Sequence, residues 1–158
     1  MDASGDLTIP AGTAAGDYTI TYTVCEKLNP TNCSSSSVII TVEAAENNAA
    51  PDDFSSTPVN GYGGGIAGDL TANDQLNGQP VNDNDITITL DSNPVGATVD
   101  ASGDLTIPAG TAAGDYTITY TVCEKLNPTN CSSSSVIITV EAAALSAITD
   151  DFLSLIHI

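Results

Sequence analysis

Apolar and polar residues alternate at period two wherever hydrophobic residues cluster in this chain, the pattern of strands with one buried and one solvated face. Tyr116 to Val122 places Tyr116, Ile118, Tyr120 and Val122 on one face and threonines on the other. Asp85 to Leu90 does the same with Ile86, Ile88 and Leu90. Leu105 to Ile107 and Val136 to Val140 read as two further strands, and weaker candidates lie at 53–59, 66–72, 79–81 and 97–99. No segment carries a helical period. Asn60-Gly61 and Asn77-Gly78 predict type I′ turns, whose two central residues both need positive φ. Gly103-Asp104 and the Pro108-Ala109-Gly110 run punctuate the later strands. Seven or eight short strands separated by turns predict an all-β, Ig-like Greek-key β-sandwich. There is no tryptophan and no cysteine pair spaced to join two sheets, so the immunoglobulin hallmark is missing. Tyr116, at the start of a late strand after Ala113-Gly114-Asp115, suits either a tyrosine-corner residue or an ordinary core tyrosine.

The strand pattern occurs twice. Residues 2–45 recur without a change at 100–143, an offset of about 98 residues. The register continues beyond the identical block, because Ala49, Asp52, Asp53 and Phe54 are met again by Ala147, Asp150, Asp151 and Phe152. A period of this length suits one small domain per repeat rather than a solenoid unit. The expected organisation is the C-terminal half of one Ig-like repeat at 1–45, a complete repeat at 46–143 and the opening of another at 144–152. Leu153 to Ile158 break the register and read as the translation of a sequencing adapter, which would make His157, the only histidine, artefactual. Met1 stands where the repeat has Val99, as a valine codon read as a start would give.

Charge narrows the range of partners. Twenty carboxylates against two lysines and no arginine give a formal charge of −18 on 158 residues. Affinity for nucleic acid comes from lysine and arginine on phosphates, and Lys27 and Lys125 cannot supply it. An anionic membrane surface is excluded for the same reason, and no apolar run reaches the roughly 18 residues of a membrane-spanning helix. Residues 46–143 alone hold 13 acids and one lysine, so the acidity belongs to the repeat.

Cys25 with Cys33, and Cys123 with Cys131, flank the same loop, CEKLNPTNC, between the two strongest strands of each copy. A bridge across such a hairpin is geometrically easy, and its presence implies an oxidising compartment. Inert free thiols are the alternative. A zinc site lacks further ligands, and a redox dithiol prefers a shorter spacing.

The run IPAGTAAGDYTITYTVCEKLNPTNCSSSSVIITV, with GGGIAGDLTANDQLNGQPVNDNDITITL upstream of its second copy, resembles the Ig-like tandem repeats of very large Bacteroidetes surface proteins, including gliding-motility adhesins and other type IX secretion cargo. The AGDYTITYTVCE strand and the NPTNC loop carry the resemblance most specifically. It implies a secreted, extracellular or cell-surface β-sandwich strung into a stalk that holds an adhesive or cargo domain away from the cell. It brings no catalytic residues.

No enzyme is expected. A serine or cysteine nucleophile lacks a histidine base once His157 is set aside, and Tyr62-Gly63-Gly64-Gly65 lacks the lysine and hydroxyl of a phosphate-binding loop. Calcium is the one cofactor worth weighing. Asp52, Asp53, Asp74, Asp83, Asp85 and Asp91 lie at a repeat junction or in loops that could gather at one end of a sandwich, and calcium takes six to eight oxygen ligands. Against it, surplus aspartate keeps a long fibre soluble by repulsion. Asn32-Cys33-Ser34 and Asn130-Cys131-Ser132 match the N-glycan acceptor pattern, read here as coincidence. The partners expected are neighbouring identical repeats. Two alternatives stand beside the covalent stalk: subunits joined into a filament by strand donation, and a multivalent module for a glycan or cell-surface target.

Overall fold

The structure is a computed structural model that describes residues 4–149. Asp150 to Phe152, the 153–158 tail with His157, and Met1 lie outside the described residues. The strands are β1 (Gly16–Cys25), β2 (Cys33–Val42), β3 (Asn47–Asn48), β4 (Asp52–Asp53), β5 (Val59–Asn60) and β6 (Gly65–Asp69). They continue as β7 (Gln75–Leu76), β8 (Gln79–Pro80), β9 (Ile86–Ser92), β10 (Thr98–Val99), β11 (Asp104–Ile107), β12 (Gly114–Glu124) and β13 (Cys131–Glu141). Among the described residues no helix crosses, or could cross, a membrane.

Strands β4 to β13 build an Ig-like β-sandwich. One sheet runs β4-β13-β12-β9, with β5 also on β13, and the facing sheet runs β10-β11-β6. The chain changes sheet between β5 and β6, between β6 and β9, between β9 and β10, and between β11 and β12, which is the Greek-key connection. Both β4 and β5 pair in parallel with β13 while every other pairing is antiparallel. β3, β7 and β8 form a separate three-stranded ribbon in the order β3-β7-β8.

The inward positions of the alternating runs form the core. Ile118, Tyr120 and Val122 from β12 meet Val136, Ile138 and Val140 from β13, with Leu105 and Ile107 from β11 facing them and Leu70, Ile86, Val59 and Ala97 filling the ends. Threonines of β12 stay at the solvated face. There Thr121 shares a 2.8 Å hydrogen bond with Ser133, and Thr139 donates to Asp115 at 2.7 Å. Tyr116 returns its hydroxyl to Ala112 O at 2.9 Å, and its counterpart Tyr18 does the same to Ala14 O at 2.8 Å, the tyrosine-corner contact.

Two local expectations change and one holds. The 53–59 run is split into β4 and β5 by a turn in which Thr57 N–H donates to Phe54 O. Asn77-Gly78 forms the hairpin turn between β7 and β8 with φ of 53° and 70°. Asn60-Gly61 does not form one: neither residue has positive φ, and Asn60 instead caps a wider loop, its side chain accepting from Tyr62 N–H and its carbonyl from Gly64 N–H. Gly61 is needed for space, because a Cβ there would run into Thr111 O and the Val140 side chain.

The identical hairpins permit a comparison within one molecule. β1–β2 and β12–β13 have the same ten-pair register, from Gly16↔Val42 to Cys25↔Cys33 and from Gly114↔Val140 to Cys123↔Cys131. Their burial differs. Val24 is 63% exposed while Val122, its counterpart, is 0% exposed, because only the second hairpin has β4, β5 and β9 beside it and β11 across from it.

Candidate functional site

The densest polar chemistry lies inside the end of the sandwich near β4. The β4 alternation sends Asp52 inward and Asp53 outward. Tyr120, pointing into the same space from β12, lies 2.7 Å from Asp52 Oδ2, 2.9 Å from Ala50 O and 3.3 Å from Leu70 O. One hydroxyl proton serves one acceptor at a time, and the carboxylate is the nearest and the most strongly charged. Asp74 follows β6 in a turn closed by its own N–H to Thr71 O, and is 1% exposed. Its Oδ1 accepts Ala50 N–H at 2.8 Å, but its Oδ2 is buried without a partner.

These surroundings disfavour charge. Burial raises the Asp74 carboxyl to about 6, with the nearby Asp52 and Asp69 charges adding to the rise against the opposing Ala50 hydrogen bond. Burial also raises Asp52, opposed by the Tyr120 hydroxyl and reinforced by Asp69. The Tyr120 hydroxyl is held far above its ordinary range by burial first and then by its bond to Asp52. Asp69, which no motif marks, accepts from Thr71 N–H and Oγ1 at 2.8 and 2.7 Å.

The other aspartates weighed for calcium are dispersed. Asp53 is on the outer face, where Ser55 lowers its carboxyl. Asp83 approaches Thr71 Oγ1 at 3.4 Å, and its carbonyl accepts from Lys125 Nζ at 3.0 Å. Asp85 is exposed and receives Lys125 N–H through its carbonyl. Asp91 accepts from Thr121 Oγ1 at 2.7 Å on the solvated face of the β9–β12 pair. Among the described residues no three carboxylates converge closely enough to hold a metal ion.

The other polar centre is the loop between β12 and β13. Cys123 and Cys131 are direct cross-strand partners joined by a disulfide with S–S 2.02 Å and Cα–Cα 4.1 Å, and Cys25 and Cys33 are joined at 2.03 Å with the same Cα separation. Such bonds form and persist in an oxidising compartment. Beneath the second bridge, Glu124 is buried and accepts Asn130 Nδ2 at 2.8 Å. Asn130 Nδ2 also donates to Ala45 O at 2.7 Å, and Asn127 Oδ1 accepts Ala15 N–H at 2.7 Å. The loop thus grips the chain that precedes the sandwich. In the sequence Asn127 is only part of the loop between the cysteines and Asn130 part of an N-glycan acceptor pattern, since their partners in the preceding copy lie more than 80 positions away.

A cleft of about 250 Å³ beside β9 contains Asp100 and Lys125 but no nucleophile paired with a base. Acid-base chemistry needs its groups within hydrogen-bond reach of one reacting atom.

No protein-family model matches the chain, and no curated protein matches it. Among solved structures, an endo-fucoidan hydrolase from glycoside hydrolase family 107 is similar at 19% identity and TM-score 0.42, over 86% of this chain and 20% of that one. Mouse clustered PcdhgC3 EC1-3 is similar at 18% identity and TM-score 0.42, over 81% and 44%. The protocadherin gammaB7 EC3-6 cis-dimer structure is similar at 16% identity and TM-score 0.33, over 86% and 35%. The chain spans less than half the length of each.

Proposed function

We propose that this chain is a non-catalytic structural segment of an extracellular stalk or fibre built from tandem Ig-like repeats, of the kind found in large bacterial surface adhesins. The observation that carries this reading is the join between copies. Residues 43–46 run from β2 straight into β3 of the ribbon, and the loop of the second copy bonds to the chain of the first. Each module therefore contributes length along one covalent chain. The high density of acid on each repeat keeps such a fibre solvated and apart from its neighbours. Two local disulfides support secretion.

An 11-residue strand such as β12 spans about 36 Å, so bead spacing near that value is expected along an array. Atomic force or electron microscopy of a chain carrying several copies of residues 46–143 tests the proposal. Evenly spaced, extended beads support it. A collapsed particle, or saturable binding of a glycan by a single repeat, overturns it in favour of a binding module.

A further inference from the structure

We propose that the disulfide-closed loop of each repeat is a clamp for the repeat before it, so that the array is a jointed rod with fixed angles rather than a flexible string. This rests on the tandem-array reading above. The partner is a second copy of the same module, and one instance of the contact is already formed within the chain.

The two loops have one sequence in two settings. Their backbones agree. Glu26 N–H donates to Asn32 O at 3.0 Å and Asn32 N–H to Asn29 O at 2.8 Å, and the same bonds recur at 3.0 and 2.8 Å between Glu124, Asn130 and Asn127. The asparagine side chains differ. In the first loop, which meets no other copy among the described residues, Asn29 and Asn32 both turn back onto the Glu26 carboxylate, at 2.7 and 3.0 Å. In the loop that meets a preceding copy, Asn127 lets go of the glutamate and takes Ala15 N–H, and Asn130 keeps Glu124 while adding Ala45 O. The disulfide and the backbone bonds hold the loop in one shape, and docking re-aims the Asn127 amide and gives Asn130 a second acceptor.

Burial points the same way. Leu28 is 88% exposed and Leu126 42%, with Leu126 set among Gly12, Ala14, Ala15 and Ala44 of the preceding copy and Leu76 of its own. Ala14 and Ala15 are partly covered, whereas Ala112 and Ala113 are exposed. Lack of neighbouring strands around the first hairpin should have left Ala14 and Ala15 the more open pair. The loop of the second copy reverses that order.

What the loop grips is backbone: an amide in the AGTAAG turn and a carbonyl three residues past β2. The repeat carries both again at Ala113 and Ala143. The same surface is therefore available to a following copy, although the connecting residues change from Glu46-Asn47 to Ala144-Leu145.

Ala15 and Ala113 share one local sequence, so amide exchange of the full chain, read by NMR, contains its own control. The Ala15 amide is expected to exchange at least about fivefold more slowly than Ala113, the weight of one net hydrogen bond. Asn127→Ala should remove that difference and Asn29→Ala should leave it intact. In a chain with a further copy of 46–143 inserted after residue 143, Ala113 should gain the protection of Ala15. A second measurement, residual dipolar couplings, should report one common alignment for β1–β2 and the sandwich, and two alignments in Asn127→Ala/Asn130→Ala. Equal exchange at the two alanines in the unmodified chain, or an unprotected Ala113 in the extended one, overturns the clamp. Extended beads with an unprotected Ala113 retain the spacer and remove the clamp. A protected Ala113 in an array that collapses does the reverse.

Discussion

Folding buries Asp74 almost completely yet gives only one of its oxygens a partner. Its carboxyl rises to about 6, above its unfolded value of 3.8, so the folded state holds the proton more tightly. The corresponding stability is complete below about pH 4 and is lost as pH rises through about 6. Asp52 shifts in the same direction. Asp53 and Asp100 shift the other way, lowered by Ser55 and Ser102, and their contribution disappears as pH falls through their depressed range. Thermal melts are therefore expected to be higher at pH 5 than at pH 7.5 and to decline again in stronger acid. Asp74→Asn should raise stability at pH 7.5 by about 1–2 kcal/mol and flatten the dependence between pH 5 and 7.5. A loss of stability in this variant, together with a lower melt of the parent protein in chelator, would mean that a cation occupies the orphaned oxygen. Tyr120→Phe removes a buried donor from Asp52 and should cost about 1–3 kcal/mol by denaturant titration.

Among the elements, the hairpin is the unit that forms on local information alone. Both copies close the same register with the same disulfide despite opposite burial, so their apolar alternation and loop suffice for pairing. Replacing Cys123 and Cys131 by serine should cost about 2.5 kcal/mol, the closure entropy of so short a loop, measured as a shift in denaturant midpoint. The short elements behave differently. β3, β4, β5, β7 and β8 are two residues each and exist as strands because a longer partner or a turn holds them. Two residues cannot display a period, which is why β3 and β7 were not legible in the sequence while β9, β12 and β13 were. Asn60-Gly61 departs from the type I′ expectation in a segment that runs against Thr111 and Val140, where Gly61 has no room for a side chain.

In the whole molecule, one sequence in two environments separates what is local from what is tertiary. Amide exchange is expected to be faster in β1–β2 than in β12–β13 by about a hundredfold or more, because the first pair lacks the facing sheet whose burial raises the opening free energy. Equal protection in both would mean that the first hairpin is covered by something besides its own chain. The sequence by itself determined the all-β class, the long hairpins, the disulfide frame, the acidic surface and the repeat, since each depends on periodicity, spacing or composition within a few residues. It also named Asp52 and Asp74. Only the tertiary structure decided that these two meet beside Asp69 and Tyr120 while Asp53, Asp85 and Asp91 stay apart, and that Asn127 and Asn130 reach the preceding copy. Those outcomes depend on contacts between residues tens of positions apart, where alternation says which face a side chain is on but not what it will find there.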